Sequence, residues 1–105
     1  MSTSRLRTIT LEEHFASPGF LAGPGKEIQQ RASGFGPRAA YLMEQLSDLG
    51  DKRIAEMDKA GIDVQVLSIT APGLEQLDPE DAIALARESN DCLAEAITRY
   101  PSRFA

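Results

Sequence analysis

The residues best suited to chemistry stand together in the run Leu11-Glu12-Glu13-His14-Phe15. A carboxylate oxygen and an imidazole nitrogen are both ordinary ligands for Zn²⁺ or Mn²⁺. Side chains two apart on a regular strand point the same way. Glu12 and His14 are therefore expected to share one face, with Glu13 on the other. His14 is the one histidine of the chain, so any imidazole chemistry rests on it. Taken alone, the triplet is weak. A solvated glutamate beside a hydrogen-bonded histidine is the plainer reading, because two ligands do not make a site.

Other residues carry weaker signals. Ser68, Thr70, Ala71 and Pro72 stand at the end of a second apolar run and in the loop after it, and either line the mouth of a pocket or form a plain strand-to-loop exit. Phe15 either walls an aromatic substrate or is an ordinary core or rim aromatic. Arg53 and Asp58 sit in a helical stretch and read as packing or ion-pairing residues. Cys92 lies mid-helix near an apolar face with no histidine close in sequence, which reads as a structural thiol. Gly23-Pro24-Gly25 and Gly34-Phe35-Gly36 lack both the Lys-Ser/Thr of a phosphate loop and the dinucleotide fingerprint, and read as loop flexibility.

These residues need elements to position them. Leu6 to Phe15 reads as a strand, with Thr8 and Thr10 alternating with Ile9 and Leu11. Residues 16–37 are dense in glycine and proline and read as a long loop of the functional kind, with a helical turn possible at Lys26–Arg31. Arg38 to Ala60 is helical in character, broken near Gly50, with Asp51 as a cap for the second part. Ile54 and Met57 form that part's apolar stripe, and Gly61 is its left-handed stop. Asp63 to Thr70 is apolar on both faces, as in a buried parallel strand. Ala71-Pro72-Gly73 is a turn. Asp78-Pro79 opens a helix running to about Tyr100, with Ile83, Ala86, Leu93 and Ile97 on one face. The acids from Asp78 to Asp91 read as a cap and a solvated face. Pro101 ends the helix, and Ser102–Ala105 reads as the approach to a third strand. Strands alternating with helices imply a parallel α/β sheet with right-handed crossovers. The carboxyl ends of such strands are where barrel active sites lie.

Composition excludes some classes of partner. The net charge of −5 argues against nucleic acid or an anionic membrane. No stretch approaches the roughly 18 apolar residues of a membrane span, and the basic N-terminus lacks the apolar core of a secretory signal. One cysteine gives no internal disulfide. A cytoplasmic protein is expected.

Several segments together resemble the amidohydrolase-related decarboxylases. They are Thr10–Phe15, Arg53–Asp63, Val66–Pro72, Ala86–Asp91 and Tyr100–Phe104, in family order, with only the stretch from about Phe20 to Arg38 lacking clear similarity. The E-x-H form looks like the γ-resorcylate type. The resemblance implies that residues 1–105 are the N-terminal β-α-β-α portion of a single (β/α)8 barrel domain, which needs about 250 residues in all. It implies that Glu12 and His14 bind one divalent metal, Zn or Mn. It places the family's remaining ligands and its acid/base, a later histidine and aspartate, beyond Ala105, so no catalytic acid or base is expected within the chain.

The implied activity is non-oxidative decarboxylation of an ortho-hydroxybenzoate-like or unsaturated carboxylic acid, with the metal as template and Lewis acid. A homo-oligomer, dimer or tetramer, is implied for the full-length form. Two other readings stand beside it. One is a metal-dependent hydrolase of an amide, ester or lactone on the same fold. The other is an inactive truncated chain or interaction module, since an incomplete barrel leaves strand edges and apolar faces uncovered.

Overall fold

A computed structural model describes residues 5–105. The first four residues, part of the stretch weighed against a secretory signal, lie outside the described residues. The order of elements is strand β1 (Ile9–Phe15), helices α1 (Pro18–Ala22), α2 (Lys26–Ser33), α3 (Pro37–Ser47) and α4 (Asp51–Ala60), strand β2 (Val64–Ile69) and helix α5 (Pro79–Arg99).

β1 and β2 pair in parallel, with Ile9 opposite Val64 and Phe15 opposite Ile69. The expected third strand begins as Phe104 bridges Gln65 in parallel. Gln65 N donates to Arg103 O at 2.9 Å, and Leu67 N to Ala105 O at 2.7 Å. The chain thus lays β1, β2 and the Phe104 segment side by side in sequence order.

Both long crossover helices cover the same sheet face. Met57 of α4 and Ala96 of α5 join Phe15, Leu67, Leu49 and Phe104 in one buried cluster, with Ile54, Ile69, Cys92, Leu93 and Ile97 packed against it. Tyr100 meets Phe104 edge to face, with ring centroids 5.7 Å apart. Beyond this core, Leu6, Ile9 and Leu11 are exposed at the β1 end of the sheet.

Several expectations need correcting. β1 begins at Ile9, three residues later than expected. The stretch 16–37 is no structureless loop: it contains two helices. Ser17 caps α1 by accepting from Phe20 N, with Pro18 in the first turn, a Ser-Pro start obscured by the surrounding glycines. Asp51 is the first residue of α4, and Gly50 holds the cap position. Asp48 Oδ1 instead accepts from Gly50 N at 2.7 Å. Asp78 sits at the cap of α5 without a side-chain cap bond. Ile83 is 55% exposed, so the buried stripe of α5 lies nearer its C-terminal half.

Candidate metal half-site

The local geometry of β1 departs from a regular strand where the chemistry lies. Thr10 pairs with Gln65 and Glu13 with Leu67, so β1 spends one more residue than β2 over this stretch. Glu12 absorbs the difference with φ 58°, the left-handed region that non-glycine residues rarely adopt. The extra residue makes this a β-bulge, a device that re-aims side chains. The alternation argument for Glu12 and His14 sharing a face therefore fails at Glu12. After the bulge the strand is regular again, with His14 opposite Ser68.

His14 is exposed and its Nδ1 lies 3.1 Å from Ser68 Oγ. That bond engages one ring nitrogen, and Nε2 is the other. The backbone of His14 is held from the opposite direction. Its carbonyl accepts from Arg53 Nη2 at 2.9 Å. The same guanidinium donates to Gln45 O, Asp48 O and Gln65 Oε1 at 2.7–3.0 Å. Arg53 is thus a junction of β1, β2 and the end of α3. Burial pushes its guanidinium down from the ordinary value, opposed by the Glu13 and Asp48 carboxylates. Asp58, its companion in sequence, pairs with Arg103 at 2.7 Å.

A cavity of about 630 Å³ opens between β1, α3 and α4; Glu12, Glu13 and His14 reach its wall together with Tyr41, Leu42 and Arg53. Ser68 and Thr70 lie outside that wall. Pro72 lines a separate cavity of about 610 Å³ beside α2. Ala71 is exposed, and the Ala71–Pro72 peptide is cis. Phe15 is 2% exposed and belongs to the core, so it is not placed as a pocket wall. Cys92 is half-buried against the same core, and burial pushes its thiol up, as for an inert packing thiol.

The sequence reading missed a buried polar junction. Ser17 Oγ donates to Glu88 Oε2 at 2.6 Å and lies 3.1 Å from Ser89 Oγ, while Gly19 N donates to Glu88 Oε1 at 3.1 Å. Glu88 is therefore not part of a solvated acidic face. It ties the turn after β1 to α5.

Among the described residues, no group of three or more His, Cys, Asp or Glu side chains is placed to hold a metal ion. Glu12 and His14 offer one oxygen and one nitrogen donor, a set that suits Zn²⁺ or Mn²⁺ but falls short of closing a site. Among the same residues, no helix is long and apolar enough to cross a membrane.

Parallel strands, helices packed on one face and a strand that carries Glu12 and His14 make this a parallel α/β segment with a candidate metal half-site. A γ-resorcylate decarboxylase of Rhizobium radiobacter is 39% identical over 99 residues, 91% of this chain and 28% of that protein. A 5-carboxyvanillate decarboxylase of Novosphingobium aromaticivorans, crystallised with manganese and a nitrobenzoic acid, superposes with TM-score 0.80 at 37% identity, covering 93% of this chain and 32% of its own. A 2,6-dihydroxybenzoate decarboxylase complexed with 2,6-dihydroxybenzoate gives TM-score 0.73 at 37% identity, over 95% of this chain and 29% of its own. No protein-family model matches. Over the matched stretch the chain is similar to these decarboxylases, and it spans under a third of their length.

Proposed function

We propose that this chain forms the opening β-α-β-α portion of a (β/α)8 barrel whose complete form is a metal-dependent decarboxylase of ortho-hydroxybenzoates. The observation that carries this reading is that Glu12 and His14 both lie on β1, a strand paired in parallel with β2. The side-by-side order of β1, β2 and the Phe104 bridge supports a barrel start, as does the common face of α4 and α5. The named relatives support the reaction class, and the manganese in neighbouring decarboxylase structures supports a divalent ion, Mn or Zn. The substrate class is a small aromatic carboxylic acid. The cytoplasmic location and homo-oligomeric assembly expected from the sequence belong to the same proposal.

Glu12 and His14 would hold the ion through one carboxylate and one imidazole. When bound, it supplies a template and a Lewis acid for the substrate's phenolate and carboxylate oxygens. The chain's own contribution is placement. The bulge falls at Glu12, Ser68 and Arg53 contact His14, and the Ser17–Glu88 junction ties down the turn that follows. The remaining ligands and the group that protonates the ring carbon come from outside these residues, so the 105 residues alone are read as inactive.

The test is CO₂ release from 2,6-dihydroxybenzoate by protein carrying this segment in a complete barrel, with and without chelation. Chelation is expected to abolish release and Mn²⁺ or Zn²⁺ to restore it. Glu12→Gln and His14→Ala are each expected to cut turnover by about 100-fold or more. Undiminished release in the double variant would remove the ligand assignment. Release of an amine or a ring-opened acid in place of CO₂ would overturn decarboxylation in favour of hydrolysis.

A further inference from the structure

We infer that Ser68 and Arg53 are positioning residues that hold His14 at two points, leaving Nε2 as the nitrogen offered to a cation. This rests on the reading of His14 as a metal ligand given above.

The strand itself does not supply full control here. The register passes from Thr10–Gln65 to Glu13–Leu67 with one extra residue in β1, and Glu12 sits in the left-handed region. A bulge interrupts the hydrogen-bond ladder where it occurs; pairing resumes from Glu13 to Phe15, and contacts beyond the ladder add to the hold on His14. Arg53 provides one of them. Its Nη2 reaches His14 O at 2.9 Å, while Nε, Nη1 and Nη2 also hold Asp48 O, Gln65 Oε1 and Gln45 O. A planar guanidinium carries its donors in a fixed fork, which a lysine ammonium does not reproduce. The His14 carbonyl is thereby referenced to β2 and α3 at once.

Ser68 provides the second point. It is the residue directly across from His14 in the parallel register, and its Oγ lies 3.1 Å from Nδ1. A short hydroxyl on a paired strand has little freedom to wander. Were a cation held at Nε2, Nδ1 would carry the proton and could donate it to Ser68 Oγ. Such a partner on the far ring nitrogen fixes both tautomer and ring orientation, and its loss typically weakens metal affinity by about 10- to 100-fold.

The experiment exploits His14 as the one histidine of the chain. Histidine-labelled chain gives a single set of imidazole ¹⁵N resonances. Ser68→Ala is expected to shift the Nδ1 resonance, and Ser68→Thr, which keeps the hydroxyl, to restore it. Identical ring spectra for wild type and Ser68→Ala would overturn the contact. Titration with Mn²⁺, read by paramagnetic broadening of the same resonances, extends the test to the cation and detects weak binding by two donors. Ser68→Ala and Arg53→Lys are each expected to require about tenfold more Mn²⁺ for equal broadening, with Ser68→Thr close to wild type. Equal broadening in Ser68→Ala and wild type would overturn the positioning role. A wild-type chain whose His14 signals ignore Mn²⁺ would overturn the metal reading, while the metal-free spectra still decide for or against the Ser68 contact.

Discussion

Ser17 Oγ and Glu88 Oε2 lie 2.6 Å apart across 71 residues of sequence, joining the turn after β1 to the middle of α5. Ser17 is fully buried and also caps α1 through Phe20 N. One hydroxyl thus serves a helix start and a tertiary tie. Ser17→Ala is expected to cost about 1–3 kcal/mol, because it removes the cap and leaves Glu88 short of a partner. Glu88→Ala frees Gly19 N and Ser17 Oγ together, and the two substitutions are expected to be non-additive. Urea unfolding of the two single variants and the double variant measures the coupling. Additive losses would mean that the two side chains act independently.

Met57 and Ile83 provide a contrast on two apolar helix positions. Met57 is 1% exposed inside the core cluster, whereas Ile83 is 55% exposed. Met57→Ala is expected to destabilise by about 2–5 kcal/mol. Ile83→Ala is expected to fall within about 0.5 kcal/mol of wild type. Denaturant midpoints at constant slope check both. A large loss at Ile83 would place the buried face of α5 where hydrophobic spacing alone puts it.

That difference shows what the sequence made legible. The apolar run of β2, the stop at Gly61 and the start at Pro79 were readable because each is local chemistry: β-branched burial, a left-handed glycine and a proline in a first turn. The helix face at Ile83 was misjudged because spacing defines a stripe but not its partner, and the partners of α5 gather around Ala96. α1 was hidden by the glycines around Ser17-Pro18. The E-x-H motif was legible as residue types, but its geometry was not. A bulge depends on how β1 registers against β2, and that pairing links residues over 50 positions apart in sequence. Arg53 was read as a packing or pairing residue. Its hold on the His14 carbonyl became visible only in three dimensions.

Gly61 ends α4 with φ 73° and ψ 25°. Its amide donates to Asp58 O at 3.2 Å, and Ile62 N donates to Met57 O at 2.9 Å, which closes the helix and sends the chain into β2. A Cβ at this position would meet no neighbour within 4 Å, so the cost of a side chain is conformational rather than steric crowding. Gly61→Ala is expected to lose about 1–2 kcal/mol, and Gly61→Asn to lose less, since asparagine tolerates this region better. Thermal unfolding of the two variants gives the order. Equal stability of alanine and glycine here would contradict the left-handed stop.

Asp63 contributes to the expected response to acid. Its carboxyl is held below the usual aspartate range, first by the backbone amide of Thr8, which donates at 2.7 Å, and then by the Arg5 side chain. A depressed folded-state pKa means that the unfolded chain binds the proton more readily. The stabilisation is therefore present above the unfolded aspartate value of about 3.9 and is lost as pH falls through the lower folded value. Asp63→Asn removes the titrating group, and its stability is expected to change less than that of wild type between about pH 5 and 2. The Arg5 pair is open to solvent, so added salt is expected to shrink the Arg5 contribution more than that of the Thr8 amide. Arg5→Ala is therefore expected to retain most of the Asp63 contribution to the acid dependence, and Asp63→Asn to lose that contribution. Acid titrations followed by far-UV circular dichroism compare the three chains. The same acid slope in Asp63→Asn and wild type would place the titrating group elsewhere.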